Sequence, residues 1–210
     1  MMQCKFPLRT LLVCAVAAAA FFFDPIADAL IFDRVAIANG QWWRLFSGNF
    51  VHLSAAHFAS DMLGLLAVGA MVEVRGARYL GLLYIVAGLA VGLVLYWQLP
   101  QLRYFGGLSG IVSAAATYLC LAGACEKGPR RAPFALALGL VTLKIAFECA
   151  LDRSLLTAAL PQSVVFLPQS HLAGAGAALA VFMLATMNPL RQINPRSASD
   201  GRRRAVMLRF

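Results

Sequence analysis

Few side chains in this 210-residue sequence can do chemistry, and their placement is uneven. The histidines are three: His52, His57 and His171. Ser109 lies between glycines in the stretch Phe105-Gly106-Gly107-Leu108-Ser109-Gly110, and Ser113 follows four residues later. Asp61 stands four residues after His57, and Glu148 four residues after Lys144. A hydroxyl and a neutral imidazole brought together form a hydrolytic pair, because the imidazole accepts the serine proton as the oxygen attacks a carbonyl. The oxyanion then formed needs donors, and a helix N-terminus offers unpaired backbone N–H groups and a positive dipole. Ser109 opens an apolar run of helix length, and Gly107 and Gly110 leave room around it for a substrate backbone.

The same residues admit other readings. A serine near a helix start is often a cap, and a histidine inside a membrane helix is often a hydrogen-bonded packing residue. Three histidines also suit a metal, yet His52 and His57 are five apart and do not share one helix face as i,i+4 ligands would. Neither a metal nor another cofactor is expected. Lys144 and Glu148 form an i,i+4 pair that neutralises itself, and reads equally as a structural ion pair or a substrate contact. No third carboxylate is obvious for a triad, since Asp152 is distant from His171 in sequence.

The elements that must position these groups are membrane helices. Hydrophobic residues make up 61% of the chain and charged residues 13%, with a mean hydropathy of +0.76. A soluble domain is about half apolar and a quarter charged, so the composition points to a bilayer. Apolar runs fall near 8–23, 51–72, 79–98, 107–125, 132–151 and 171–187. Punctuation separates them at Asp24-Pro25, Gly76, Pro100, Gly128-Pro129, Pro161, Pro168 and Asn188-Pro189. The expected fold is all-α, a polytopic bundle of six transmembrane helices over residues 1–187, followed by a basic tail at 188–210.

The net charge of +9 is not a nucleic-acid footprint. Lys5 and Arg9 precede the first run, Arg75 and Arg78 follow the second, and Lys127, Arg130 and Arg131 separate the fourth from the fifth. Six arginines follow the last run. Basic residues in alternate loops mark the cytoplasmic side, which places both termini inside. The five cysteines are scattered and odd in number, so no disulfide framework is implied. Residues 1–29 also resemble a cleavable signal peptide ending in Ala27-Asp28-Ala29; a retained helix is favoured because Pro25 and the aspartates suit a helix exit. Gly88 and Gly92 form a Gly-x-x-x-Gly pair, read as close packing within one chain in preference to dimerisation.

This topology brings the polar groups together. Helices two, four and six run inward, so His52, His57, Ser109 and His171 share one depth just below the outer surface. Local sequence does not require that coincidence, and polar groups inside a membrane are costly.

Four motifs then match a family. The chain resembles the rhomboid intramembrane serine proteases over most of residues 40–180. Trp43-Arg44 is similar to the family's Trp-Arg in the first outer loop. "HLSAAHFASD" (52–61) is similar to its His-x4-His-x3-Asn, "GLSG" (107–110) to its Gly-x-Ser-Gly, and "HLAGAGAA" (171–178) to its His-x2-Gly-x3-Gly. The resemblance implies Ser109 as nucleophile and His171 as general base. It implies that His57 helps bind the oxyanion with the Ser109 backbone N–H, and that His52 shapes the same pocket. Gly174 and Gly176 beside His171 are expected to let helix six approach helix four.

Three positions depart from the pattern. Asp61 stands where the family has asparagine; an ionised carboxylate there opposes the oxyanion unless it is protonated by burial or serves to orient His57. Ser113 stands where an aromatic residue often stacks on the histidine, and Ala178 replaces the last glycine. Within rhomboids the chain is most similar to the short bacterial rhombosortases, through "NGQWWRLFSGNFVHLSAAH" and through "LKIAFE" (143–148), which holds a Lys144/Glu148 motif of that subgroup. That resemblance implies a serine endopeptidase of the bacterial inner membrane. Its partners would be the bilayer and membrane-anchored proteins with a C-terminal Gly-Gly motif, membrane helix and basic tail. The competing expectations are an inactive rhomboid-like protein that binds membrane clients and, more remotely, a small transporter using the histidines as a proton relay. The sequence leaves the oligomeric state open.

Overall fold

The computed structural model describes residues 6–151 and 167–187. In chain order its helices are α1 (Leu8–Phe22), α2 (Asp24–Leu30), α3 (Arg34–Ala38), α4 (Arg44–Ser47), α5 (Ala55–Val74), α6 (Leu80–Gln98), α7 (Ser109–Ala124), α8 (Arg131–Leu151) and α9 (Pro168–Met187). The expected basic tail, with Lys5, Asp152, Arg153 and Pro161, lies outside the described residues. The architecture is an all-α polytopic bundle. Six long helices stand where the six apolar runs predicted them. Of these α5, α6, α8 and α9 are long and apolar enough by themselves to cross a membrane. The pair α1–α2 has the composition of one span but bends by 112° at Phe23, where Asp24-Pro25 restarts the helix. At 16 residues α7 is also short, about 24 Å at 1.5 Å per residue against a hydrocarbon core of about 30 Å.

The core is built around α7, which packs on α5, α6, α8 and α9. Small residues make this possible: Gly110, Ala114 and Ala115 are buried on α7, and Gly174, Ala177 and Ala178 on α9. A side chain on Gly174 would overlap the Gly110 carbonyl oxygen, and one on Gly110 would reach within 2.9 Å of the Ser170 carbonyl oxygen. Helices in lipid gain nothing from the hydrophobic effect, so van der Waals contact at such close backbone approach is a main source of their pairing. Gly176 has open space around it and takes no part, contrary to the expectation for both glycines. Ala178 is buried, so the smaller-than-usual change from glycine leaves the packing intact.

Gly88 and Gly92 pack within the chain, but against a loop element in place of another span. A side chain on Gly88 would meet the Phe46 ring at 2.7 Å, and one on Gly92 would overlap the Leu45 carbonyl of α4. The buried Asn49 amide donates to the carbonyls of Phe46 and Gly88, at 2.9 and 3.0 Å, which ties this first loop to α6. Arg44 donates to the Asp28 and Ile31 carbonyls, both at 2.8 Å. Arg34 caps the C-terminal end of α6 through the carbonyls of Leu95, Tyr96 and Leu99, satisfying acceptors that a helix end leaves open.

Two further contacts fix opposite ends of the bundle. Glu73 on α5 accepts the N–H groups of Arg9 and Thr10, both at 2.9 Å, and the Thr10 hydroxyl at 3.0 Å. A carboxylate here occupies the positive end of α1. A two-residue antiparallel ladder pairs β1 (Phe32–Asp33) with β2 (Tyr104–Phe105), Phe32 opposite Phe105. It pins the segment leading into Gly106-Gly107 to the first loop.

Candidate active site

Ser109 is the first residue of α7, preceded by Leu108 as the cap residue, and no side chain caps this helix. The hydroxyl therefore does not serve as a cap. Val112 N–H is the first to bond back, to the Leu108 carbonyl at 2.9 Å. The N–H groups of Ser109, Gly110 and Ile111 accordingly belong to the first turn, where helices have no internal acceptor. Gly107 precedes them with φ +150°, in a region that side chains other than glycine rarely adopt. A Cβ there would lie 2.6 Å from His57 Cε1 and 3.0 Å from His57 Nε2. The glycine is required twice, by its backbone angle and by the imidazole against it.

His57 lies in the first turn of α5, whose N-terminus is capped by Ser54 Oγ accepting the His57 N–H at 3.2 Å. His52 is not on that helix, contrary to expectation: it precedes α5, in the segment that follows the turn Gly48–Phe50. The spacing argument against a shared face assumed a single helix. Freed from it, His52 meets His57 edge-on, with ring centroids 5.3 Å apart. Asp61 Oδ2 lies 3.1 Å from His52 Nε2 and 3.2 Å from His57 Nε2. Asp61 Oδ2 is thus the hydrogen-bond partner of His52 and stands within ion-pair distance of His57. Among the described residues no cluster of three or more His, Cys, Asp or Glu has a metal-holding arrangement.

His171 is buried in the first turns of α9. Its Nδ1 lies 2.9 Å from Glu148 Oε2. Glu148 in turn binds Lys144 Nζ at 2.6 Å, and Lys144 Nζ stands 3.4 Å from His171 Nδ1. The sequence reading found no third carboxylate beside the histidine; the tertiary structure supplies one. The residues of α8 that are buried are Ile145 and Glu148, so the acid points into the bundle and Lys144 remains partly exposed. The signal was available in the topology. Glu148 lies in the last turn of α8 and His171 in the first turn of α9, so the end of one helix meets the start of the other.

Ser109 and His171 are carried by segments in direct backbone contact, Gly110 against Ser170 and Gly174 against Gly110. A hydrogen bond from such a hydroxyl to its imidazole is commonly long before substrate binds and tightens in the reacting complex. The arrangement has the parts of an acyl-transfer site. It has an alcohol at a helix N-terminus, an imidazole oriented by a carboxylate, and a second imidazole beside the backbone N–H groups. Ser113 lies one turn below Ser109 on α7 and is half-buried; it gives His171 no aromatic partner.

Comparison with known proteins agrees with this architecture. The Rhomboid domain model matches residues 39–188. The chain is 32% identical over 85 residues to the rhomboid protease GluP of Bacillus subtilis, covering 39% of this chain and 17% of that protein. It is 32% identical over 109 residues to the rhomboid protease GlpG of Klebsiella pneumoniae, covering 51% and 38%. It is 31% identical over 136 residues to GlpG of Salmonella choleraesuis, covering 60% and 48%. The chain thus spans less than half the length of these curated relatives. The family match, by contrast, runs from the residue before Gly40 to just past α9 and takes in every residue of the site. That match covers α4 to α9 and the polar layer, well over half of the chain, and the chain belongs to the rhomboid family.

Proposed function

We propose that the protein is an intramembrane serine endopeptidase in which Ser109 is the nucleophile and His171 the general base. The contact of Gly110 with Ser170 and Gly174 is the observation that supports this most, since it draws two distant chain positions into one layer. Ser109 Oγ forms a bond to the scissile carbonyl carbon while its proton passes to His171 Nε2 and the carbonyl electron pair moves to oxygen. The first-turn N–H groups of α7, with His57, face that oxyanion. Collapse breaks the C–N bond, and His171 returns the proton to the leaving amine. Water repeats the sequence on the acyl-enzyme and restores the serine. Asp61 acts through the two imidazoles it holds, His52 and His57.

In this reading the chain has six spans, lies in the bacterial inner membrane and keeps both termini in the cytoplasm. The brevity of α7 sets Ser109 below the outer surface, where water enters from outside. Substrates are membrane-anchored proteins whose helix unwinds into the site, because a helix shields its own carbonyls; glycines in the cleaved segment ease that unwinding. The similarity to rhombosortases extends this to proteins ending in a Gly-Gly motif, a membrane helix and a basic tail. The alternative is an inactive rhomboid-like protein that binds such clients, favoured by Asp61 and Ser113 at positions where the family differs.

A fluorophosphonate probe separates the two. The protease reading expects covalent labelling of the wild type that is lost in Ser109→Ala and in His171→Ala. Labelling that persists in Ser109→Ala overturns the nucleophile assignment, and absence of labelling in the wild type favours the client-binding protein.

A further inference from the structure

Glu148 is a fully buried acid on a helix that otherwise faces lipid with nearly its whole length. An acid on this helix is driven inward because the exposed face is lipid, so burial by itself assigns no role. The partner does: the carboxylate reaches another helix and meets His171 Nδ1 at 2.9 Å. The nearer contact of Lys144 Nζ is with Glu148, at 2.6 Å, and its approach to the imidazole is at 3.4 Å. The short carboxylate contact places the imidazole proton on Nδ1, so that Nε2 presents its lone pair.

Resting on the protease reading above, we propose that Glu148 is a positioning residue for His171, making the site a serine–histidine–glutamate relay across α7, α9 and α8. Glu148 holds the Nδ1–H tautomer and the ring plane, and it stabilises the imidazolium formed when the serine proton arrives at Nε2. It touches neither substrate nor the reacting carbonyl. Lys144 makes the arrangement tolerable in a membrane, since a lone buried carboxylate is strongly disfavoured. It also weakens the carboxylate as a counter-ion, so the relay is set for orientation first and charge second.

The test uses the full-length protein in detergent, the rate of Ser109 labelling by a fluorophosphonate probe, and thermal stability of each variant. Glu148→Gln alone strands Lys144, so the main comparison is Lys144→Met against Lys144→Met with Glu148→Gln, which removes both charges together. Lys144→Met, whatever its own rate, is the reference from which the contribution of the carboxylate is read. The double variant should label roughly 10²-fold more slowly than that reference at unchanged melting temperature, in the range by which a misplaced general base falls short. Lys144→Met with Glu148→Asp, which restores a carboxylate one methylene shorter, should recover at least about tenfold of that loss. The pH dependence of labelling should also be displaced in Lys144→Met, where Glu148 is left to His171. The other titratable groups of the layer, Asp61, His52 and His57, are intact in every variant.

A double variant that labels within about threefold of Lys144→Met overturns the proposal, as does an aspartate that gives no recovery. Should the double variant fold poorly, an undisplaced pH dependence in Lys144→Met overturns it as well. Failure of the protease reading is recognised separately, by labelling of the wild type that Ser109→Ala and His171→Ala do not abolish.

Discussion

The Nδ1 atom of His171 and the Oε2 atom of Glu148 lie 2.9 Å apart, on helices that begin and end at the same depth. The pair joins two chain segments that share no motif. It turns what reads in sequence as a self-contained Lys–Glu ion pair into the back wall of the histidine. Across Ser109 the arrangement is repeated in another form, with Asp61 behind His57 and His52. An acid thus stands against each of the three imidazoles.

The two acids invite different substitutions. Asp61 Oδ2 pairs with His52 Nε2 and lies beside His57 Nε2, so an asparagine with its carbonyl oxygen in that place keeps the His52 hydrogen bond and removes the charge. Asp61→Asn is expected to label with a fluorophosphonate probe within about tenfold of wild type, or faster, since the charge opposing the oxyanion is gone; about tenfold corresponds to 1.4 kcal/mol of barrier. Asp61→Ala leaves the buried His52 donor unmet, and should cost about 1–3 kcal/mol of stability as well as activity. A loss beyond tenfold in Asp61→Asn at unchanged melting temperature would show that the negative charge is needed.

Gly107 is confined by φ +150° and by the His57 ring. Gly107→Ala should push His57 from the first turn of α7 and slow labelling by roughly 10²-fold, the scale of removing one oxyanion donor. The accompanying backbone strain is about 1–3 kcal/mol. Circular dichroism of the purified variant should still report an intact helical bundle. Labelling at the wild-type rate would remove His57 from the oxyanion side of the site.

Gly174 and Gly176 provide an internal control two residues apart. A methyl group at Gly174 overlaps the Gly110 carbonyl, whereas one at Gly176 meets nothing within 4 Å. Gly174→Ala is expected to force α9 from α7, costing about 1–3 kcal/mol by overpacking and separating Ser109 from His171. Gly176→Ala should be neutral in both melting temperature and labelling. Equal behaviour of the two variants would show that the close approach of these helices is not what unites the site.

The N-terminal helix has its own tie to the bundle. Glu73 accepts two backbone N–H groups and a hydroxyl at the start of α1. Glu73→Ala should lower stability by about 1–3 kcal/mol with little change in the labelling rate of folded protein. A collapse of labelling in material that still melts cooperatively would tie α1 to the site directly.

Much of the molecule was written in the sequence itself. Hydropathy placed the six long helices, because a helix in lipid must be apolar along its length. The basic loops gave the orientation from which Ser109, His57 and His171 fell at one depth. Motif spacing pointed to the same residues. What sequence did not determine was lateral: which side chains at that depth touch. His52 left the helix it was assigned to, Gly176 faced away while Gly174 did not, the glycine pair on α6 met a loop, and Glu148 kept its own lysine while also meeting a histidine 23 residues on. Depth follows from transfer free energy summed along one chain segment, which local composition fixes. Contact between helices follows from which backbones approach closely enough to share a polar atom, and only the packed bundle decides that.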